Sequence, residues 1–196
     1  MGRNYDQPTL WMGLECDSFL FILKWYNKNM KAKYINPFTD FGFKKIFGEE
    51  ESKPFLIHFL NQLLHLPCPL VELQFRNPEQ LGFSAYDRRA IFDVYCTDEV
   101  GRHFVVEMQK AKQNFFKDRA VFYSTFPIQK QAEKGEWDFR LEAVYCVGLL
   151  DFVFEEDKNN PDYVHEVSLK NRHHQVFYEK LRFYFIEMPK FRKAEA

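Results

Sequence analysis

The amino-acid sequence predicts an α/β domain built on a mixed sheet. Two segments rich in β-branched and aromatic residues, 90–97 and 103–109, flank a short glycine-bearing turn and read as a hairpin. A helical stretch at about 114–134 follows them. Val144 to Leu150 is then a nearly continuous apolar run, which suits a buried strand reached by a helical crossover. With 196 residues, 46% of them hydrophobic and 23 of them Phe, the chain can bury one sizeable core and requires no second domain.

Each element has its own signal. Asp40 to Phe47 reads as a short helix stopped at Gly48, with Phe43 and Phe47, four residues apart, turned to the core. Ser52 is expected to cap the next helix, whose apolar face is Phe55, Leu56, Phe59, Leu60, Leu63 and Leu64 and which Pro67 and Pro69 end. A strand near Leu70 to Phe75 precedes the hairpin, and Pro127 should interrupt or kink the helix after it. Val164 to Leu169 and Phe177 to Met188 add a late hairpin. Internal repeats and low-complexity segments are absent from the sequence.

The hairpin turn sets a register. If Glu99, Val100 and Gly101 form a three-residue loop, with the glycine left-handed at its last position, Asp98 faces Arg102. Counting outward, Thr97 meets His103, Tyr95 meets Val105 and Asp93 meets Glu107, with Cβ atoms roughly 4.5–5.5 Å apart. Because strand side chains alternate, Val105, Glu107 and Gln109 share one face, while Phe104, Val106 and Met108 take the other. A one-residue slip would part the acids.

Two facing carboxylates among Ile91, Phe92, Val94, Val105 and Val106 repel one another with little water to screen them. Oxygen donors without thiolate or imidazole suit a hard divalent cation, Mg²⁺ or Mn²⁺, which can activate water and offset the charge of a phosphoryl transition state. On the acid pair alone, a solvated strand face stays open as the alternative.

Further segments add a resemblance. Asp93-Val94-Tyr95 with Glu107-Met108-Gln109, the stretch Tyr34 to Gly48, Arg119-Ala120-Val121-Phe122-Tyr123 and Glu187-Met188-Pro189-Lys190-Phe191 together resemble the PD-(D/E)xK nuclease superfamily. The similarity is to its nuclease-family transposase branch, related to recombination-promoting nucleases, over roughly residues 30–191. It implies a restriction-endonuclease-like core of order αβββαβ that hydrolyses DNA phosphodiesters. Asp93 and Glu107 would ligate the metal, with Asp40 as auxiliary acid, although Asp40 also reads as a helix cap or dipole partner. Gln109 stands where the superfamily has lysine; it can orient a water but supplies no positive charge. Lys44, Lys45 or Lys110 would then bring the missing cation, the sequence not choosing among them, and Arg119 would bind phosphate or buttress an acid.

The same resemblance leaves residues 1–29 unmatched, and these are expected to be an N-terminal extension or a non-native start ahead of a domain at 30–196. Relatives usually continue past Glu187 to Phe191 into further helical sequence, which suggests a truncated copy. A non-catalytic remnant that binds DNA or self-associates is therefore the competing expectation, and a homodimer stays open.

Composition excludes several classes. A net charge of −1 gives no whole-molecule pull toward nucleic acid, although residues 102–134 hold seven Lys or Arg against three acids and residues 168–193 hold seven against two. Cys16, Cys68, Cys96 and Cys146 have no zinc or redox spacing, and reduced cytoplasmic thiols are expected. No histidine spacing suggests a metal or nucleophile site, and no Gly-rich phosphate loop points to a nucleotide-driven enzyme. The apolar run Phe19 to Leu23 is too short to cross a membrane.

Overall fold

A computed structural model describes residues 38–80, 90–132 and 137–191. The expectations for residues 1–29, for the start of the opening motif at 34–37, for Cys16 and for the Phe19 to Leu23 run lie outside the described residues.

Helix α1 spans Asp40–Phe47; Thr39 caps it by accepting a hydrogen bond from the Gly42 amide at 3.0 Å, and Gly48 closes it by donating to Lys44 O at 2.7 Å. A 3₁₀ turn, Glu50–Ser52, leads into α2, Lys53–Leu63. Ser52 stands at the N-cap position but does not cap through its side chain, because its hydroxyl donates back to Glu49 O at 3.0 Å; Pro54 in the first turn needs no amide partner. Phe43, Phe47, Leu56, Phe59 and Leu60 are fully buried, and the Phe43 and Phe47 rings lie 4.9 Å apart.

The main sheet has six strands: β1 (Leu73–Phe75), β4 (Val94–Asp98), β5 (His103–Gln109), β6 (Val144–Leu150), β7 (Val164–Lys170) and β8 (Val176–Glu187), in spatial order β1-β4-β5-β6-β8-β7. Strands β2 (Glu79–Gln80) and β3 (Ala90–Ile91) form a separate two-stranded pair. The sheet is mixed, as the sequence predicts: β5, β6 and β8 run parallel, while β1, β4 and β7 pair antiparallel with their neighbours. Helix α3, Phe116–Gln129, makes the crossover from β5 to β6. Its span is shorter than the expected 114–134, and Pro127 sits inside its last turn, two residues before the helix ends.

Two apolar layers flank the sheet. One joins α1 and α2 to Val94, Cys96, Phe104, Val106, Tyr145, Leu149 and Ile186. The other joins α3, through Phe116 and Phe126, to Tyr95, Val105, Val144, Cys146, Phe183 and Phe185. Successive residues of β4, β5 and β6 thus feed opposite layers, the alternation of a sheet buried on both faces. Glu107 lies on the α3 face.

Candidate active site

The β4–β5 turn fixes the site. Gly101 has φ +85° and donates from its amide to Asp98 O at 3.2 Å, while Asp98 N donates to Arg102 O at 3.1 Å. The register is the one the glycine predicts, with Thr97 opposite His103 and Tyr95 opposite Val105. The sequence did not reveal how firmly this turn is held: the buried Asp98 carboxylate accepts from the Arg102 amide at 2.7 Å and from the Arg102 Nε, and Arg102 also donates to Cys68 O at 3.0 Å.

Beyond the last paired residue, Val94, the chain bends and Asp93 turns across to β5. The Met108 amide donates to Asp93 Oδ2 at 2.7 Å, and the Asp93 amide donates to Glu107 Oε1 at 3.2 Å. Gln109, only 7% exposed, donates through Nε2 to Glu107 Oε2 at 3.2 Å. Asp93, Glu107 and Gln109 are therefore one hydrogen-bonded group.

Burial pushes the Asp93 carboxyl above its ordinary value, against the Met108 amide and Lys44, which favour the anion. Glu107 is pushed further, to about 8, by burial first and by the Asp93 charge second, with the Asp93 amide, Arg119 and Gln109 opposing. Among the described residues, no Lys, Arg or His nitrogen comes within 4.0 Å of either carboxylate. Two half-buried acids supplied only with neutral amide donors are short of positive charge, and their oxygen-only donor set fits a hard divalent cation. Beside Glu107 lies a cavity of about 20 Å³, bounded by Arg119, Tyr123, Gly148 and Phe185, with room for roughly one water. Gly148 keeps it open: opposite Glu107 in the β5–β6 register, it would bring a Cβ to 3.1 Å from Phe185 Cδ1.

The remaining predicted residues divide. Lys44 acts electrostatically on both Asp93 and Glu107 while pairing with Asp40 at 2.7 Å. Asp40 is 72% exposed; its charge reaches Asp93, but the three acids do not close to within 4.8 Å of one another. Lys45 pairs instead with Glu49 at 2.5 Å, and Lys110 is exposed one residue past Gln109. Arg119 lies over the Phe116 and Tyr123 rings, bonds Gln113 and favours the charged form of both acids. Of the three lysines left open by the sequence, Lys44 is the one whose charge is felt at the acid pair.

Many other cations of the basic segments are matched within the fold. Lys112 pairs with Glu155 at 3.2 Å, Lys117 with Glu156 at 2.5 Å and Arg182 with Glu166 at 2.6 Å. Sequence reasoning missed Tyr123, one turn beyond Arg119 and lining the cavity with Glu107, and it missed a second cluster. Asp157, His165 and Glu187 bring ligand atoms within 4.8 Å of one another. That cluster already contains a cation: Lys190 Nζ lies 2.5 Å from Glu187 Oε2 and donates to Asp157 O at 2.6 Å. Burial raises the Glu187 carboxyl, but Lys190, the Phe154 amide and His165 outweigh it and hold the group below its ordinary value.

A family model for PD-(D/E)XK nuclease family transposases matches residues 37–196. The chain belongs to that family. Its mixed six-stranded sheet flanked by helices agrees with the restriction-endonuclease-like fold that the family resemblance implies. No curated protein and no solved structure matches the chain. Within this PD-(D/E)XK domain Gln109 bonds Glu107, and the positive charges that favour the ionised acids come from Lys44 on α1 and Arg119 on α3. Among the described residues no helix is long and apolar enough to cross a membrane.

Proposed function

We propose that this chain is a metal-dependent DNA endonuclease that hydrolyses phosphodiester bonds in a reaction related to transposition or recombination. The observation that carries the reading is the acid pair: the Asp93 carboxylate accepts from the Met108 amide and Glu107 from the Asp93 amide, neither has a cationic partner within 4.0 Å among the described residues, and the chain is a PD-(D/E)XK family member.

Asp93 and Glu107 would hold Mg²⁺ or Mn²⁺ through carboxylate oxygens. Such an ion, when bound, lowers the pKa of a coordinated water and offsets charge developing on the phosphoryl oxygens. Gln109 orients Glu107 through its amide nitrogen and retains its carbonyl oxygen as an acceptor for a water proton. Lys44 and Arg119 supply the positive charge that the missing lysine does not, and draw the phosphate toward the acids. Asp40, held by Lys44, is the auxiliary acid at the edge of this group.

Purified protein should nick supercoiled plasmid with Mg²⁺ or Mn²⁺ and stop when EDTA is added. Asp93→Ala and Glu107→Ala should abolish nicking while keeping wild-type DNA affinity in fluorescence anisotropy. A wild type that binds DNA and never cuts it with either ion would favour the non-catalytic remnant.

A further inference from the structure

A second cavity, of about 260 Å³, lies between α3 and the β7–β8 hairpin. It shares Ala120 and Phe185 with the small cavity beside Glu107, so the two adjoin across one wall. Three phenylalanines, Phe154, Phe183 and Phe185, line it. Phe183 and Phe185 are stacked with centroids 6.2 Å apart, and Phe154 meets Phe185 edge-on at 5.8 Å. Lys117 stands with Nζ 4.6 Å from the Phe154 centroid, and Asp157 and His165 supply the remaining polar groups.

His165 is positioned by a buried partner. Its Nε2 lies 3.1 Å from Glu187 Oε2, at hydrogen-bond distance though imperfectly aligned, and Glu187 is fully buried. Toward a carboxylate Nε2 serves as a donor, which in a neutral imidazole leaves Nδ1 as an acceptor. That Nδ1 is 4.0 Å from Asp157 Oδ2. With Nε2–H directed at Glu187, a neutral His165 ring and Asp157 present two acceptors across a gap that a ligand N–H group would bridge. The volume lies just below the roughly 300–1,000 Å³ of sites for drug-sized molecules, so the cavity suits one flat ring system rather than an entire dinucleotide.

We propose that this cavity binds an unstacked nucleobase bearing an exocyclic amino group, its ring against Phe154, Phe183 and Phe185 and its amino group between His165 and Asp157. Aromatic side chains accept the face of a base, while the polar pair reads its edge. The base has two possible sources: a nucleotide of the bound strand, for which the proposal rests on the nuclease reading above, and a free nucleoside, for which it does not.

The test follows the His165 ring in ¹H–¹⁵N spectra of the full chain, assigned with His165→Gln, in EDTA so that no cleavage occurs. The probes are adenosine, purine riboside (which lacks the amino group), and thymine oligonucleotides carrying one central adenine or one purine. The His165 signal should shift with an amino-bearing probe, with affinity about tenfold or more above that for its amino-lacking partner. Val167→Phe, which fills the cavity from the β7 side, and Asp157→Ala, which removes the acceptor, should each lose this binding at unchanged melting temperature; should the former fail to fold, the latter carries the test. A response to adenosine assigns the site to free nucleosides, and a response to the adenine oligonucleotide alone assigns it to the bound strand. The proposal is overturned if no probe moves His165, if amino-lacking rings bind equally well, or if Asp157→Ala binds as wild type. Base binding without plasmid nicking would sink the nuclease reading and leave this one standing; nicking without base binding would do the reverse.

Discussion

Glu107 sets the behaviour of the site through one physical conflict: a carboxylate held in an apolar layer beside another carboxylate. Its folded-state pKa of about 8 exceeds its ordinary 4.5. The native state therefore keeps a proton that the unfolded chain releases, and without metal the stability must fall as pH rises from about 4.5 to 8. The raised Asp93 acts in the same direction. Since a tenfold change in proton affinity corresponds to ~1.4 kcal/mol, the loss across that window should amount to a few kcal/mol. Urea unfolding in EDTA at pH 5 and pH 8.5 should show it, and Glu107→Gln should flatten the dependence; a wild type parallel to that variant would mean the carboxylate is already satisfied. That Asp93 and Glu107 come together was legible in the sequence because both sit on one hairpin, but the ladder stops at Val94 opposite Val106, and Asp93 meets Glu107 through its backbone amide rather than as the directly paired residue expected. The choice of Lys44 over Lys45 and Lys110 was not legible, because it depends on how α1 packs on the sheet.

The hairpin is the element on which the site depends. Gly101, at φ +85°, would bring any Cβ to 3.3 Å from Glu142 Cγ, and a left-handed backbone costs an ordinary residue roughly 1–2 kcal/mol. Gly101→Val should therefore lower stability by about that amount, whereas Gly101→Asn, which tolerates the left-handed region, should cost less; equal urea midpoints for the two variants would contradict the turn assignment. Local chemistry explains why the hairpin, β6 and the β7–β8 pair were readable: glycine, alternation and a continuous apolar run act over a few residues. Features settled by competition between partners were not. Ser52 found the Glu49 carbonyl rather than its own helix amides, and α3 ended at Gln129, in the turn that contains Pro127. The Asp157, His165, Glu187 and Lys190 cluster joins a 3₁₀ turn (Glu155–Asp157), the edge strand β7, the end of β8 and the segment after it, so no sequence spacing announces it.

On the scale of the molecule, a net charge of −1 gives no overall pull toward a phosphate backbone, and among the described residues Lys112, Lys117 and Arg182 are each paired with an acid inside the fold. DNA binding should accordingly depend only modestly on salt. If Lys44 and Arg119 each meet a phosphate, log K against log salt should lose about 0.9 from its slope for each replaced by Ala, and a slope unaffected by both would place the DNA elsewhere on the surface. The fold gives these two cations their position: α1 on one face and α3 on the other both reach the end of the sheet where Asp93 leaves β4 and Glu107 stands near the end of β5. The central claim is that this end of the sheet holds a divalent cation on carboxylate oxygens. Titration with Mn²⁺, counting free ion by electron paramagnetic resonance at pH 8, tests it most directly. Wild type should bind Mn²⁺ at the acid pair, with that binding lost in Asp93→Ala and in Glu107→Ala; undiminished binding in both variants, or none in wild type, would contradict the account.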